Sequence, residues 1–532
     1  MTYSTGKLSF IFIVAVLLAA IGAWWLARRY ARAMKRLMSA PLASAAPATS
    51  QVGACVLWPP EALPPPAPVS LAQNRRAGLR LTLLLTALSL AMALSSAALT
   101  FVFVMHGDGM AMRRLLVLAL VHLWPVIPAI GLLWRWPSLW ILGVLALWVL
   151  LCFGVMWWRS IEPDALLIAQ YLAFEIGVPL VLIGALCLGQ ATRAAAPWLL
   201  PPLVLLVWAS IAGLDVLWLL IADPPRWLMA LSEWLGADVV MLLFAMLPWL
   251  VAWWPMRWLG RALGRAYTAK RLSELMVLFT AVWAVSLLYQ SLGAASGLGL
   301  GGVVMMLPLL WIPLFMALSR RLVRRHGARP PTLLVLRVFQ HDHQVQALFD
   351  AVVERWRLTG NTVLIAGTDL ALRTLDAEDI FAFLDRRLSE RFIHSPADVP
   401  ARLAAFDLAP DAEGRMRINE CYCHDTTWQQ ALHALVQQSD VVLMDLRGFQ
   451  AHNAGCTHEL GVLARARSLR RVVALVDAQT DRAAADAAIT AATARVDARE
   501  APTASRFVWL DAPHGDARRR GAVLASLFGR PA

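Results

Sequence analysis

Nine runs of roughly 20 apolar residues, each long enough to cross a bilayer as a helix, fill the chain up to about residue 320. They fall at about 8–27, 81–105, 114–134, 138–158, 165–188, 198–222, 235–256, 275–292 and 298–318. Lipid offers no partner to backbone polar groups, so such runs must be helical. The first run leads into Arg28, Arg29, Arg32, Lys35 and Arg36, a stop-transfer flank rather than a small-residue cleavage site. Of the 48 Lys and Arg, 25 precede residue 330, against only 10 of the 35 Asp and Glu, so the basic charge belongs to the apolar half. With the amino terminus outside, 20 of those 25 lie on the inner side and five on the outer side. This bias orients a multi-pass protein, with the lipid bilayer as a partner and the second half in the cytosol; the membrane expected is the inner membrane of a bacterium. No nucleic-acid partner is expected, because the arginines sit at span ends.

Residues 1–329 are therefore expected to form a membrane domain, interrupted at 37–76 by an Ala/Pro-rich inner loop that reads as an extended linker. Trp24, Trp25, Trp134, Trp136, Trp157, Trp158, Trp253 and Trp254 cluster at predicted span ends and read as interfacial anchors. Gly297 and Gly301 have the spacing of a close helix–helix contact. Glu175, Asp215 and His122 are the few ionisable groups inside spans, where such groups face the bundle interior and are functional candidates. The six cysteines, Cys55, Cys152, Cys187, Cys421, Cys423 and Cys456, lie in spans or on the cytosolic side, where structural disulfides are not expected.

From residue 330 the pattern changes to alternating short apolar strands and helices, which predicts an α/β doubly wound domain over 330–532 with a mainly parallel sheet. Expected strands are 333–339, 362–366, 415–421, 440–445, 472–477 and 507–511. Expected helices are 342–358, 377–392, 426–438, 454–467, 481–496 and 516–528. The most informative stretch is SDVVLMDLRGFQAHNAGCTHELG (Ser439–Gly461). An apolar strand ends at Asp445, a polar loop with Gly448 and Asn453 follows, and a helix then carries Glu459 in its second turn. Ligands in parallel sheets sit where strands end and the next helices begin. Glu459 shares a helix face with Gly455, Cys456 and Leu463, so a carboxylate is expected among small and apolar neighbours. The competing reading is an acidic residue placed for the helix dipole.

The chain has no GxGxxG after the first strand, no phosphate-binding P-loop, no HExxH and no GxSxG. Cys421, Cys423 and His424, with Cys456 and His458, contain zinc-ligand types, but their spacing is not that of a finger. No metal and no cofactor is expected.

The second half resembles the Toll/interleukin-1-receptor (TIR) superfamily and the related nucleoside 2-deoxyribosyltransferases. Cys456, Glu459 and Leu460 match the Cys-x-x-Glu-Leu of TIR domains. Asp445, Gly455, Cys456, Glu459, Leu460 and Gly461 match the deoxyribosyltransferase pattern. The resemblance implies cleavage of an N-glycosidic bond, of NAD or a related nucleotide, with Glu459 and Asp445 catalytic. It implies nucleotide binding by Gly448, Asn453, Gly455 and Cys456. The loop after the second strand, with Gly367 and Asp369, would cover the nucleotide and mediate homo-oligomeric assembly. A stress or defence role follows by analogy. The alternatives are a nonenzymatic nucleotide sensor coupled to the spans, and a transporter regulated by the domain.

Overall fold

A computed structural model of the chain describes residues 5–39, 65–105, 112–187, 189–322, 329–337, 352–366, 377–424, 426–494, 506–512 and 517–529. The chain divides into two compact units. One comprises Met1–Arg29, Leu83–Leu318 and Leu375–Phe381; the other comprises Tyr30–Thr82, Ser319–Thr374 and Ala382–Ala532.

The first unit is helical, and among the described residues 9 helical segments are long and apolar enough to cross a membrane. Their elements are α1 (Thr5–Ser39), α2 (Leu71–Leu99), α3 (Met112–His122), α4 (Val126–Leu133), α5 (Ser138–Arg159), α6 (Ala165–Leu172) and α7 (Val178–Leu186). After them come α8 (Gln190–Ala222), α9 (Arg226–Leu235), α10 (Ala237–Met246), α11 (Pro248–Thr268), α12 (Glu274–Leu298) and α13 (Trp311–Leu322). The span of α12 is the central one, with 72% of its most apolar window buried, against 11% for α5. Of the eight expected Trp anchors, Trp24, Trp25, Trp158, Trp253 and Trp254 are at least half exposed, whereas Trp136 and Trp157 are 39% and 42% exposed and Trp134 is partly buried; Arg28 lies 3.7 Å over the Trp24 ring.

Prolines divide several spans, because a proline removes a backbone donor and clashes with the carbonyl four residues earlier. The third span breaks at residues 123–125, between α3 and α4, next to Pro125. The fifth passes through a π-helical turn at Ala173–Gly177, just before Pro179. The close helix contact expected at Gly297 and Gly301 is found instead at Gly302, where an added Cβ would lie 2.7 Å from the Ser291 carbonyl oxygen; the positions at Gly297 and Gly301 have room. The tightest approach at a glycine among the described residues of this unit had no counterpart in the sequence reading. A Cβ on Gly213 of α8 would sit 2.0 Å from the Phe244 carbonyl oxygen of α10.

The second unit is built on β1 (Thr332–Arg337), α14 (Glu354–Trp356), β2 (Asn361–Ala366), α15 (Ala377–Leu384), β3 (Phe392–Ile393), α16 (Val399–Ala404) and β4 (Ile418–Cys423). These are followed by α17 (Trp428–Gln438), β5 (Val441–Asp445), α18 (Ala454–Arg465), β6 (Arg471–Val476), α19 (Arg482–Thr493), β7 (Phe507–Asp511) and α20 (Ala517–Leu527). The first residues of α15, up to Phe381, group with the helical unit. The seven strands form one sheet in the order β3-β4-β2-β1-β5-β6-β7, and every pairing is parallel. β2, β4 and the edge strand β3 lie on one side of β1, and β5 to β7 follow on the other, so the direction of winding changes between β1 and β5. A fully buried run, Val441–Asp445, forms β5, as expected of a strand covered on both faces.

The sequence reading differs from the fold around residue 390. The helix expected over 377–392 ends at Leu384, Arg386 takes a φ of 60°, and a 3-10 turn leads into β3. A two-residue edge strand has too short an apolar run to show against a helical pattern. Most of the expected helix 342–358 lies outside the described residues.

Because Gly213 has backbone rather than a flexible side chain against it, Gly213→Ala is expected to cost about 1–3 kcal/mol through overpacking. Thermal unfolding of the purified full chain in detergent, compared with an alanine substitution at Gly143, where nothing lies within 4 Å, measures it.

Candidate functional site

Parallel pairing in register places Asp445, the last residue of β5, opposite Arg337, the last residue of β1. This is where the strand order reverses, the position at which open parallel sheets hold ligands. Asp445 is buried, and both of its oxygens accept from the next-but-one side chain. Arg447 Nε donates to Oδ1 at 2.7 Å and Nη2 donates to Oδ2 at 2.6 Å. The fork geometry of a guanidinium matches a carboxylate in this way, so the charge leaves the strand end already neutralised.

The loop that follows is tied down by a residue the sequence reading overlooked. Asp477, just past β6, accepts from Gly448 N at 3.0 Å, Gln479 N at 3.1 Å and Thr480 Oγ1 at 2.8 Å. Gly448 adopts a φ of 69°, which a side chain would strain. Asn453 occupies the N-cap position of α18 but makes no side-chain bond into the helix. Its Oδ1 accepts instead from Gln450 N at 2.8 Å, within the loop. The carboxyl end of α18 is held by Arg506, whose Nη2 donates to the Leu463 carbonyl at 2.7 Å and also to that of Ala464.

On α18, Cys456, Glu459, Leu460 and Leu463 are buried. Glu459 is 4% exposed, so the carboxylate sits inside rather than on a solvated dipole face. Gly455 departs from the expected face: it is exposed, with nothing within 4 Å of an added Cβ. The Cys456 thiol is pushed up to about 12 by burial first, then by the negative charges of Glu459 and Asp445. Asp445, Cys456 and Glu459 thus form one electrostatic group, with Gly448 and Asn453 in the loop between the two carboxylates. Gly367 and Asp369 lie outside the described residues.

The zinc-ligand types are dispersed. Cys421 and Cys423 share a face of β4 with their sulfurs 3.7 Å apart. His458 packs edge-on against Trp428 and His433, and burial holds both imidazoles below their ordinary value. Among the described residues no group of three or more His, Cys, Asp or Glu side chains is placed to hold a metal ion. A histidine pair not anticipated from sequence stands at the ends of β3 and β4, with His424 Nε2 3.3 Å from His394 Nδ1. No protein-family model, no characterised protein and no solved structure matches this chain.

Removing Arg447 would leave the buried Asp445 charge uncompensated, and Arg447→Met is expected to cost about 3–5 kcal/mol. Asp445→Asn in the same chain should restore much of it, and thermal unfolding of both variants checks the pair. Cys456 gives a pH signature. Its folded titration lies above its unfolded one, so its contribution to stability is complete below pH 9, the ordinary value, and declines as pH climbs toward about 12. The alkaline fall in unfolding temperature should be shallower in Cys456→Ala than in the parent chain.

Proposed function

We propose that this chain is a multi-pass protein of a bacterial inner membrane whose sheet domain is doubly wound and TIR-like, lies in the cytosol and cleaves the N-glycosidic bond of NAD or a related nucleotide. The observation that carries the reading is the burial of Glu459 on the helix after β5, in one electrostatic group with Asp445 and Cys456. Departure of nicotinamide leaves positive charge at the anomeric carbon. Glu459 stabilises that charge or attacks the carbon, as carboxylates do in glycosyl chemistry. A carboxylate has about four acceptor positions, so Asp445 keeps capacity for ribose hydroxyls while Arg447 fixes its orientation. Gly448 and Asn453 shape the loop beneath the nucleotide, and Gly455 leaves room beside it. The Lys/Arg bias supports the orientation. Homo-oligomeric assembly and a stress or defence role rest on the resemblance alone.

A second reading is favoured by a separate observation. The end of α1 and the start of α2 group with the sheet unit, where Tyr30 Oη lies 3.3 Å from Tyr422 Oη and Asn74 Nδ2 donates to the Arg355 carbonyl at 2.7 Å. Nucleotide binding without turnover would then be sensed by the two helices that continue from these contacts.

Incubating the full chain in lipid nanodiscs with NAD separates the readings. Nicotinamide release that falls roughly 100-fold or more in Glu459→Gln supports the hydrolase. Saturable NAD binding with no release supports the sensor, and neither binding nor release removes both.

A further inference from the structure

The helical unit holds a second buried constellation, independent of the sheet domain. Of the interrupted spans, two break at an ionisable residue, whereas the π turn at Thr100–Val104 and the break at Leu247 hold none. α3 ends at His122, immediately before the break, and Glu175 is the middle residue of the π turn. Pro179 explains that turn, since it cannot supply the N–H that the Glu175 carbonyl would otherwise accept. Turns of this kind are frequent at functional positions, and irregular backbone at membrane depth is tolerated where it is buried in protein or lines a wet cavity.

The two breaks bring His122 Nε2 to 3.8 Å from Glu175 Oε1. The same oxygen accepts from Gln290 Nε2 of α12 at 2.7 Å, and Gln290 Oε1 accepts from Ser96 Oγ of α2. Four spans thus each contribute one polar group, and all four residues are less than a tenth exposed. A purely structural cross-link would close on itself. Here His122 Nδ1 is buried with no hydrogen-bond partner among the described residues. So are Ser89 Oγ, Trp283 Nε1 and Ser286 Oγ. Ser89 lies seven residues from Ser96 on α2, while Trp283 and Ser286 lie seven and four from Gln290 on α12. At helical periodicity these groups continue the same two faces, which makes a polar line rather than an isolated knot.

The charges around Glu175 are few. Tyr171, one turn earlier on α6, and Tyr289 of α12 interact with it electrostatically, and Cys152 of α5 lies beside Tyr171. Lys7 of α1 and Asp215 of α8 form a separate ion pair, so Asp215 is not part of the cluster. Among the described residues, His122 is the group within 4 Å of Glu175 that can carry positive charge. The pair is neutral overall when it holds one proton, on either partner. Gaining or losing a proton puts net charge into an interior where charge is costly.

We propose that Glu175 and His122 form a proton-binding site within the helical bundle, with His122 as the relay. A proton arriving at Nδ1 and the release of the Nε2 proton to Glu175 Oε1 leave the ring neutral and convert the carboxylate to the acid. The buried serine and indole groups continue the faces of Ser96 and Gln290, and buried polar atoms of this kind are met by water.

Infrared difference spectra of the full chain in lipid nanodiscs, between alkaline and acidic buffer, test the assignment. A protonated-carboxyl band should appear on acidification, be lost in Glu175→Gln, and have its midpoint displaced by about one pH unit or more in His122→Leu. If Glu175→Gln does not yield a monodisperse protein, Glu175→Asp should retain a carboxyl band at a changed frequency and midpoint. A band indifferent to substitution at Glu175, or a midpoint unmoved in His122→Leu, overturns the proposal. So does a midpoint that moves with sodium concentration at fixed ionic strength, which would mark a metal-cation site.

Discussion

A carboxylate removed from water costs several kcal/mol unless something compensates it, and both units of this chain are shaped by that constraint. In the sheet unit arginine compensates several of these carboxylates, while Glu420 is met by the Tyr422 hydroxyl. Arg329 grips Asp440 at 2.7 and 2.9 Å, Arg447 grips Asp445, and Arg415 and Arg357 meet Glu354. Asp440 also accepts from Thr332 N at 2.8 Å, so this pair joins the start of β1 to the start of β5. The pair at Asp445 sits at the other end of β5. The two ion pairs thus bracket the strand beside which the order reverses, and the one at Asp440, which also ties the start of β1, helps to hold the register on which the candidate site depends. A one-residue slip would turn the whole buried set outward.

The helical unit meets the same constraint with weaker means. Lys7 compensates Asp215, but Glu175 has an amide and an imidazole in place of a guanidinium. Intramembrane hydrogen bonds measure about 0.6 kcal/mol on average, far less than the cost of an ionised group at that depth. Packing around α12 holds the cluster in place; the hydrogen bonds orient it. The imbalance between a strong cost and a weak compensation is what leaves a group free to change its protonation state.

Legibility from sequence followed the strength of the pattern. Nine apolar runs and a continuous VVLMD strand leave few alternatives, and the α/β order of the second half follows from the alternation of short apolar runs with helical periodicity. Asp445, Gly448, Asn453, Cys456 and Glu459 were readable as one stretch because they are neighbours in the chain. Asp477 and Arg506 were not, although they immobilise that stretch, because their partners lie 29 and about 43 residues away. Partners so distant leave no periodic trace. The edge strand β3 was hidden by its length, and the contact at Gly213 by the absence of any side chain to pattern.

The two buried acids, Glu459 and Glu175, also differ in what surrounds their backbones. Glu459 rides on an unbroken helix whose two ends are anchored, by Asn453 and Asp477 through the preceding loop and by Arg506 at the carboxyl end. Its position is therefore set by regular geometry, which suits the role proposed for it, meeting a reacting carbon repeatedly at one distance. Glu175 rides on an interrupted helix, opposite a second interruption at His122. Breaks of this kind free backbone carbonyls and admit small adjustments of the π and α turns. A site that binds only a proton needs little positional rigidity, but it must tolerate a change of charge, and a broken helix with polar neighbours offers that tolerance where a regular one does not.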